Sequence, residues 1–274
     1  VPWNLHPKIS LVSDMNKLKG ITDVVSEHLS LTDFVRLSIS IAFLIIGFVP
    51  QSRAGDFWKD KSFDSWTMKE ARAIQTDSPW SRKIVKDAPW IKGNVGYLSI
   101  LPVGCDGRPD ISDRGAPLQL DTPTYTRVEY KVNWISSRTM RSAKAQEAIL
   151  CGKTNKDTAE EVLEETMDEY RIEIVSPDMM PFESMEEEEI RQNTSLTFKK
   201  AQKKVTAHDV VIRRITGQKR IISMVFMFEK KSENDEAYLT PDEKEIEFLS
   251  RAGNFSIKVK FQPAKMSTKD GPDL

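Results

Sequence analysis

Hydrophobic and polar positions alternate with period two in several stretches of this chain, a pattern that predicts half-buried strands. Val128, Tyr130, Val132 and Trp134 alternate with Glu129, Lys131 and Asn133, and Tyr170, Ile172 and Ile174 repeat the pattern in a shorter run. Downstream, residues 209–215 and 220–228 flank the turn-sized Thr216-Gly217-Gln218-Lys219. Residues 245–249 and 255–261 flank Arg251-Ala252-Gly253-Asn254. Both pairs read as antiparallel hairpins, because short Gly-containing turns return the chain beside itself. Residues 196–198 form a weaker strand candidate.

Helix signals fall between these runs. Thr67-Met68-Lys69-Glu70 has capping-box form and predicts a helix over residues 68–75, ended by Asp77-Ser78-Pro79-Trp80. Ser136 is placed to cap a helix over residues 138–150, with Gly152 just past its end. An acidic helix follows over residues 158–169, and residues 181–191, with Glu186-Glu187-Glu188-Glu189, read as a short exposed helix. Thr240-Pro241-Asp242-Glu243 also has the form of a helix start, but the alternation of Ile246 and Phe248 with charges favours a strand. Strands segregated from helices predict an α+β fold, with a mostly antiparallel sheet and two or three helices on one side, over residues 124–266. An aromatic-rich helical arm (residues 55–92) and a Gly/Pro-rich connection (residues 93–123) precede it, and residues 267–274 are expected to be a disordered tail.

Residues 37–49, LSISIAFLIIGFV, carry no charge. Thirteen residues are short of the roughly 20 needed to span a bilayer, but fit the apolar region of a secretory signal. Arg36 supplies the positive flank, and Ser52 and Ala54 the small residues of a cleavage site. Cleavage is therefore expected after Ala54, residues 1–54 being a leader, and the protein is expected in the periplasm or outside the cell. An uncleaved inner-membrane anchor at residues 37–49 is the alternative.

The 40 basic and 41 acidic residues give a formal net charge of −1, which argues against nucleic-acid binding. Hydrophobic residues at 39% and charged residues at 30% argue for a globular chain. Cys105 and Cys151, 46 positions apart, are compatible with a disulfide in an oxidising compartment, though spacing alone does not require one.

The segment Asp56-Phe57-Trp58-Lys59-Asp60-Lys61-Ser62-Phe63-Asp64-Ser65-Trp66-Thr67-Met68-Lys69-Glu70, followed by Thr76-Asp77-Ser78-Pro79-Trp80, resembles the opening of a family of secreted acidobacterial proteins. Their mature N-terminus runs approximately F-W-E-x-K-x-Y-x-x-W-S-x-K-E and then L-T-x-S-P-W. Residues 239–266 are similar to the same family's closing pattern. The resemblance implies export and supplies no catalytic residue.

Candidate chemistry is sparse. His208-Asp209 has the residue types of part of a hydrolase apparatus, but no G-x-S-x-G surrounds any serine, and a lone histidine near a strand is more often an ordinary surface residue. Cys151-Gly152-Lys153-Thr154 looks like the end of a phosphate loop, yet Glu147 stands where that loop needs glycine, so a helix C-terminus explains it better. The four-glutamate run is read as a solvated face rather than a calcium site. No metal or cofactor is expected.

Trp58, Trp66, Trp80 and Trp90 have the best claim to a partner, either a groove on a cell-envelope protein or a glycan ring. The competing reading, that the arm folds back and packs on the sheet, is favoured because four exposed tryptophans would invite aggregation. These features point to an exported, non-enzymatic binding or scaffolding protein of the bacterial cell envelope. A secreted hydrolase with His208 as general base is the alternative.

Overall fold

The computed structural model describes residues 56–93, 96–100, 103–107, 126–215 and 217–274. The leader, with residues 37–49 and Ala54, and most of the Gly/Pro-rich connection lie outside the described residues. Asp56–Leu274 forms one compact unit.

Its helices are α1 (Phe57–Asp60), α2 (Met68–Thr76), α3 (Arg138–Leu150), α4 (Lys156–Glu164), α5 (Met180–Glu183) and α6 (Glu187–Gln192). The strands are β1 (Ser81–Asp87), β2 (Tyr97–Leu98), β3 (Arg127–Trp134), β4 (Glu169–Val175), β5 (Thr194–Phe198), β6 (Lys203–Thr206), β7 (Asp209–Arg214), β8 (Ile221–Glu229), β9 (Ile246–Ala252), β10 (Phe255–Phe261), β11 (Ser267–Thr268) and β12 (Gly271–Pro272). The fold is α+β. One sheet has the order β1-β3-β4-β8-β7, with β2 added parallel beside β3, and a second has the order β10-β9-β5-β6. Apart from β2, all the pairings are antiparallel.

The period-two pattern explains how the sheets stack. Val128, Tyr130, Val132 and Trp134 share one face of β3 and are fully buried. From that face Trp134 meets Phe261 of β10 at 5.1 Å between ring centroids. Tyr170 meets Phe198 of β5 at 6.1 Å, and Phe226 meets Phe248 of β9 at 5.9 Å, so a single aromatic layer joins the two sheets. The other face of the large sheet carries Ser81, Lys131, Asn133 and Glu173. There Ser81 Oγ donates to the Gln75 carbonyl of α2, and Lys144 of α3 pairs with Glu173 at 3.1 Å. Helices thus cover the face opposite the second sheet.

Local signals set most boundaries. Thr67 and Glu70 close a reciprocal capping box on α2. α3 ends at Gly152 with φ +65°, its Lys153 N–H returning to the Ala148 carbonyl, a glycine-capped terminus rather than a phosphate loop. The β9–β10 turn places Gly253 at φ +56°.

Several expectations are corrected. The aromatic region is no separate arm: β1 within it pairs along its whole length with β3 and forms the sheet's edge. Ser137, not Ser136, caps α3, accepting from the Met140 N–H. The acidic helix stops at Glu164, because Glu169 already pairs with Glu229 in the sheet. Residues 267–274 form no disordered tail but carry the β11–β12 hairpin, which Asp273 ties to the start of α3.

Candidate functional site

Gln146 of α3 positions the aromatic turn that follows α1, its amide donating to the carbonyls of Asp64 (3.1 Å) and Trp66 (2.8 Å). Lys156 adds an ion pair to Asp64 at 2.6 Å, and that hydrogen bond, followed by one from Ser62, holds the Asp64 carboxyl below its ordinary value. Phe57 packs edge-on against Trp58 (5.3 Å) and Trp66 (5.9 Å), and Trp58 against Trp80 (5.5 Å).

The β11–β12 hairpin closes the opposite side. The Asp273 carboxylate accepts the backbone N–H groups of Arg138 (2.6 Å) and Thr139 (2.7 Å), satisfying two orphan donors at the positive end of a 13-residue helix. Trp80 Nε1 donates to the Asp273 carbonyl at 2.7 Å, tying the hairpin to the aromatic cluster.

Between these parts lies a cleft of about 500 Å³, with Trp58, Phe63, Trp66, Arg138, Lys269 and Asp270 in its walls. Arg138 and Lys269 are exposed and make no ion pair among the described residues. The indole nitrogens of Trp58 and Trp66 are buried without an acceptor among the described residues. An indole nitrogen only donates, so each carries an uncompensated desolvation cost.

The four tryptophans do not share one groove. Trp66 and Trp80 are buried, at 4% and 0% exposure, and Trp58 is half-buried, so this part of the arm packs as the favoured reading expects. Trp90 lies elsewhere, edge-on to Phe255 at 5.6 Å and donating to Asp178 Oδ1 at 3.1 Å. Trp58 and Trp66 alone line the cleft.

His208 is exposed just before β7, its Nε2 3.0 Å from Glu169 Oε2 and 3.8 Å from Glu229 Oε1. Among the described residues no hydroxyl or thiol is hydrogen-bonded to its ring, and both cysteines are joined as Cys105–Cys151, with Cα atoms 5.0 Å apart. The glutamate run caps and enters α6, where Glu188 pairs with Arg191; no group of three ligating side chains suited to a metal occurs among the described residues. No helix among them is long and apolar enough to cross a membrane.

Sequence reasoning missed Asp273. Its partners stand 135 and 134 residues upstream, and no local spacing connects them. No protein-family model, curated protein or solved structure matches the chain.

Proposed function

We propose that this is an exported, non-enzymatic binding protein of the bacterial cell envelope, and that the cleft beside Trp58 and Trp66 takes an envelope glycan. One observation carries the reading: an aromatic wall of Trp58, Phe63 and Trp66 borders a cleft that also presents Arg138 and Lys269, exposed cations without an ion pair among the described residues. Sugar rings offer apolar faces that suit Trp and Phe, with hydroxyl and acidic oxygens to accept from guanidinium and ammonium donors. Export is supported by the uncharged run at residues 37–49 with its small-residue site, and by the bridged cysteines, which suit an oxidising compartment. The resemblance to secreted acidobacterial proteins points the same way.

The binding test is a tryptophan-fluorescence titration of the protein with soluble acidic oligosaccharides released from a bacterial envelope. Saturable binding that is weakened at least about tenfold in Trp58→Ala and in Lys269→Ala supports the reading, since one lost contact of this kind is worth about 1.4 kcal/mol or more. Saturation unaffected by both changes, or no saturation, overturns it. Export is tested by expressing the full chain in a bacterium and sequencing the N-terminus of the exported product. A start at Gly55 supports it, and a cytoplasmic product retaining residues 37–49 overturns it.

A further inference from the structure

On the helix-covered face of the large sheet, Lys83 of β1 and Lys131 of β3 are direct cross-strand partners. Side chains so placed have Cβ atoms about 5 Å apart, and like charges there destabilise the pair. Neither ammonium makes an ion pair among the described residues. The nearby carboxylates are already engaged: Glu129 accepts the Tyr97 hydroxyl at 2.5 Å, and Glu173 accepts Lys144 at 3.1 Å. Both glutamates are buried, at 7% and 8% exposure, whereas Lys131 is half-buried and Lys83 exposed. A half-buried amine thus sits beside a free cation, with two fixed carboxylates on the same face.

We propose that Lys131 is a nucleophilic amine that forms an imine with a small 2-oxo acid, whose carboxylate is held by Lys83. The neutral Lys131 nitrogen attacks the carbonyl carbon and forms the C–N bond, while the carbonyl oxygen takes up a proton to give a carbinolamine. Loss of that hydroxyl as water and of the remaining nitrogen proton leaves the imine, with one water released and no net oxidation or reduction. Glu129 and Glu173 are the nearby groups suited to carry the protons.

The surroundings favour the neutral amine. Burial first, and the Lys83 charge second, push the Lys131 amine below its ordinary value, with Lys144 adding to the effect and Glu129 and Glu173 opposing it. Each unit of such lowering raises the neutral fraction about tenfold near neutrality. The other lysine with a comparable cause, Lys230, donates to the Met167 carbonyl at 2.7 Å and lies over the Tyr170 ring, so its nitrogen is already engaged.

The test incubates the full chain with pyruvate and cyanoborohydride at neutral pH, then maps the reduced adduct by peptide mass spectrometry. Labelling of Lys131 at least about tenfold above every other lysine, lost in Lys131→Arg with an unchanged circular-dichroism spectrum, supports the proposal. Label spread evenly over surface lysines, or an unmodified Lys131, overturns it. A second variant, Lys83→Gln, keeps the amine and removes its neighbour. Half-maximal labelling of Lys131 then moves to higher pH and needs more pyruvate, and an unmoved profile overturns the part given to Lys83.

Discussion

Asp273 Oδ1 lies 2.6 Å from the backbone nitrogen of Arg138, so a residue from the C-terminal hairpin caps a helix that begins 135 positions earlier. The bond carries full charge toward the positive end of α3, where a carboxylate is worth more than a neutral acceptor. Asp273→Ala is expected to cost about 1–2 kcal/mol in urea unfolding, and Asp273→Asn less, since the amide keeps an acceptor but not the charge. Equal losses in the two variants would remove the electrostatic share of this account.

The disulfide joins the Gly/Pro-rich connection, between β2 and β3, to the end of α3. Closing a loop across 46 positions removes unfolded-state entropy worth about 4 kcal/mol in the chain-entropy description. The Cys105→Ser/Cys151→Ser protein should therefore unfold at lower denaturant, and reduced wild type should match it. A midpoint unchanged by reduction would show that the bridge ties down nothing that unfolding releases.

The Glu70 carboxyl is held below its ordinary value near 4.5, first by the Lys61 hydrogen bond and then by the Thr67 backbone N–H of the capping box. A carboxyl lowered in the folded state adds stability that is complete above the unfolded value. That stability is lost as pH falls through the lower, folded value. Wild type and Glu70→Gln should therefore differ most at neutral pH and converge in acid, below about pH 4.5. The group is largely solvent-screened, so the gap should be small, and thermal melts across an acid series would measure it.

His208 is an exposed partner of Glu169, and exposed pairs contribute about 0–1 kcal/mol. His208→Ala should accordingly leave stability and oligosaccharide binding nearly unchanged. A turnover of ester, peptide or glycan substrates that disappears in this variant would instead favour the hydrolase alternative.

The strands with clean alternation are legible in the sequence: β3, β4, β8 and β10 lie within one or two residues of their expected bounds. β1 was not, because Arg82, Lys83, Lys86 and Asp87 put charge on both faces and only Ile84 and Val85 are apolar. An edge strand tolerates that, and its place came from pairing with β3 rather than from its own pattern. β6 is similar, with Val205 its single buried side chain. For α3 the cap was expected at Ser136 but falls one residue later, where Ser137 takes the extended conformation and its side chain accepts the Met140 N–H. In the cleft, Trp58 and Trp66 could be singled out by type, but Arg138, Lys269 and Asp273 could not, since tertiary contact alone gathers them. The Lys83–Lys131 juxtaposition likewise required the strand register that β1 did not reveal.

The dependence of the aromatic cluster on Asp273 also has a consequence in time. Trp80 and its acceptor are separated by 193 positions, so the turn that emerges first has its hydrogen bond supplied only after all the intervening chain has been made. In a chain threaded through a membrane N-terminus first, the indoles would arrive across it long before the hairpin that covers them. Until Asp273 followed, they would form an apolar patch open to chaperones and to neighbouring chains. Under the proposed export the cleft would be completed only once Asp273 has crossed, so the proposed ligand binding would report that passage.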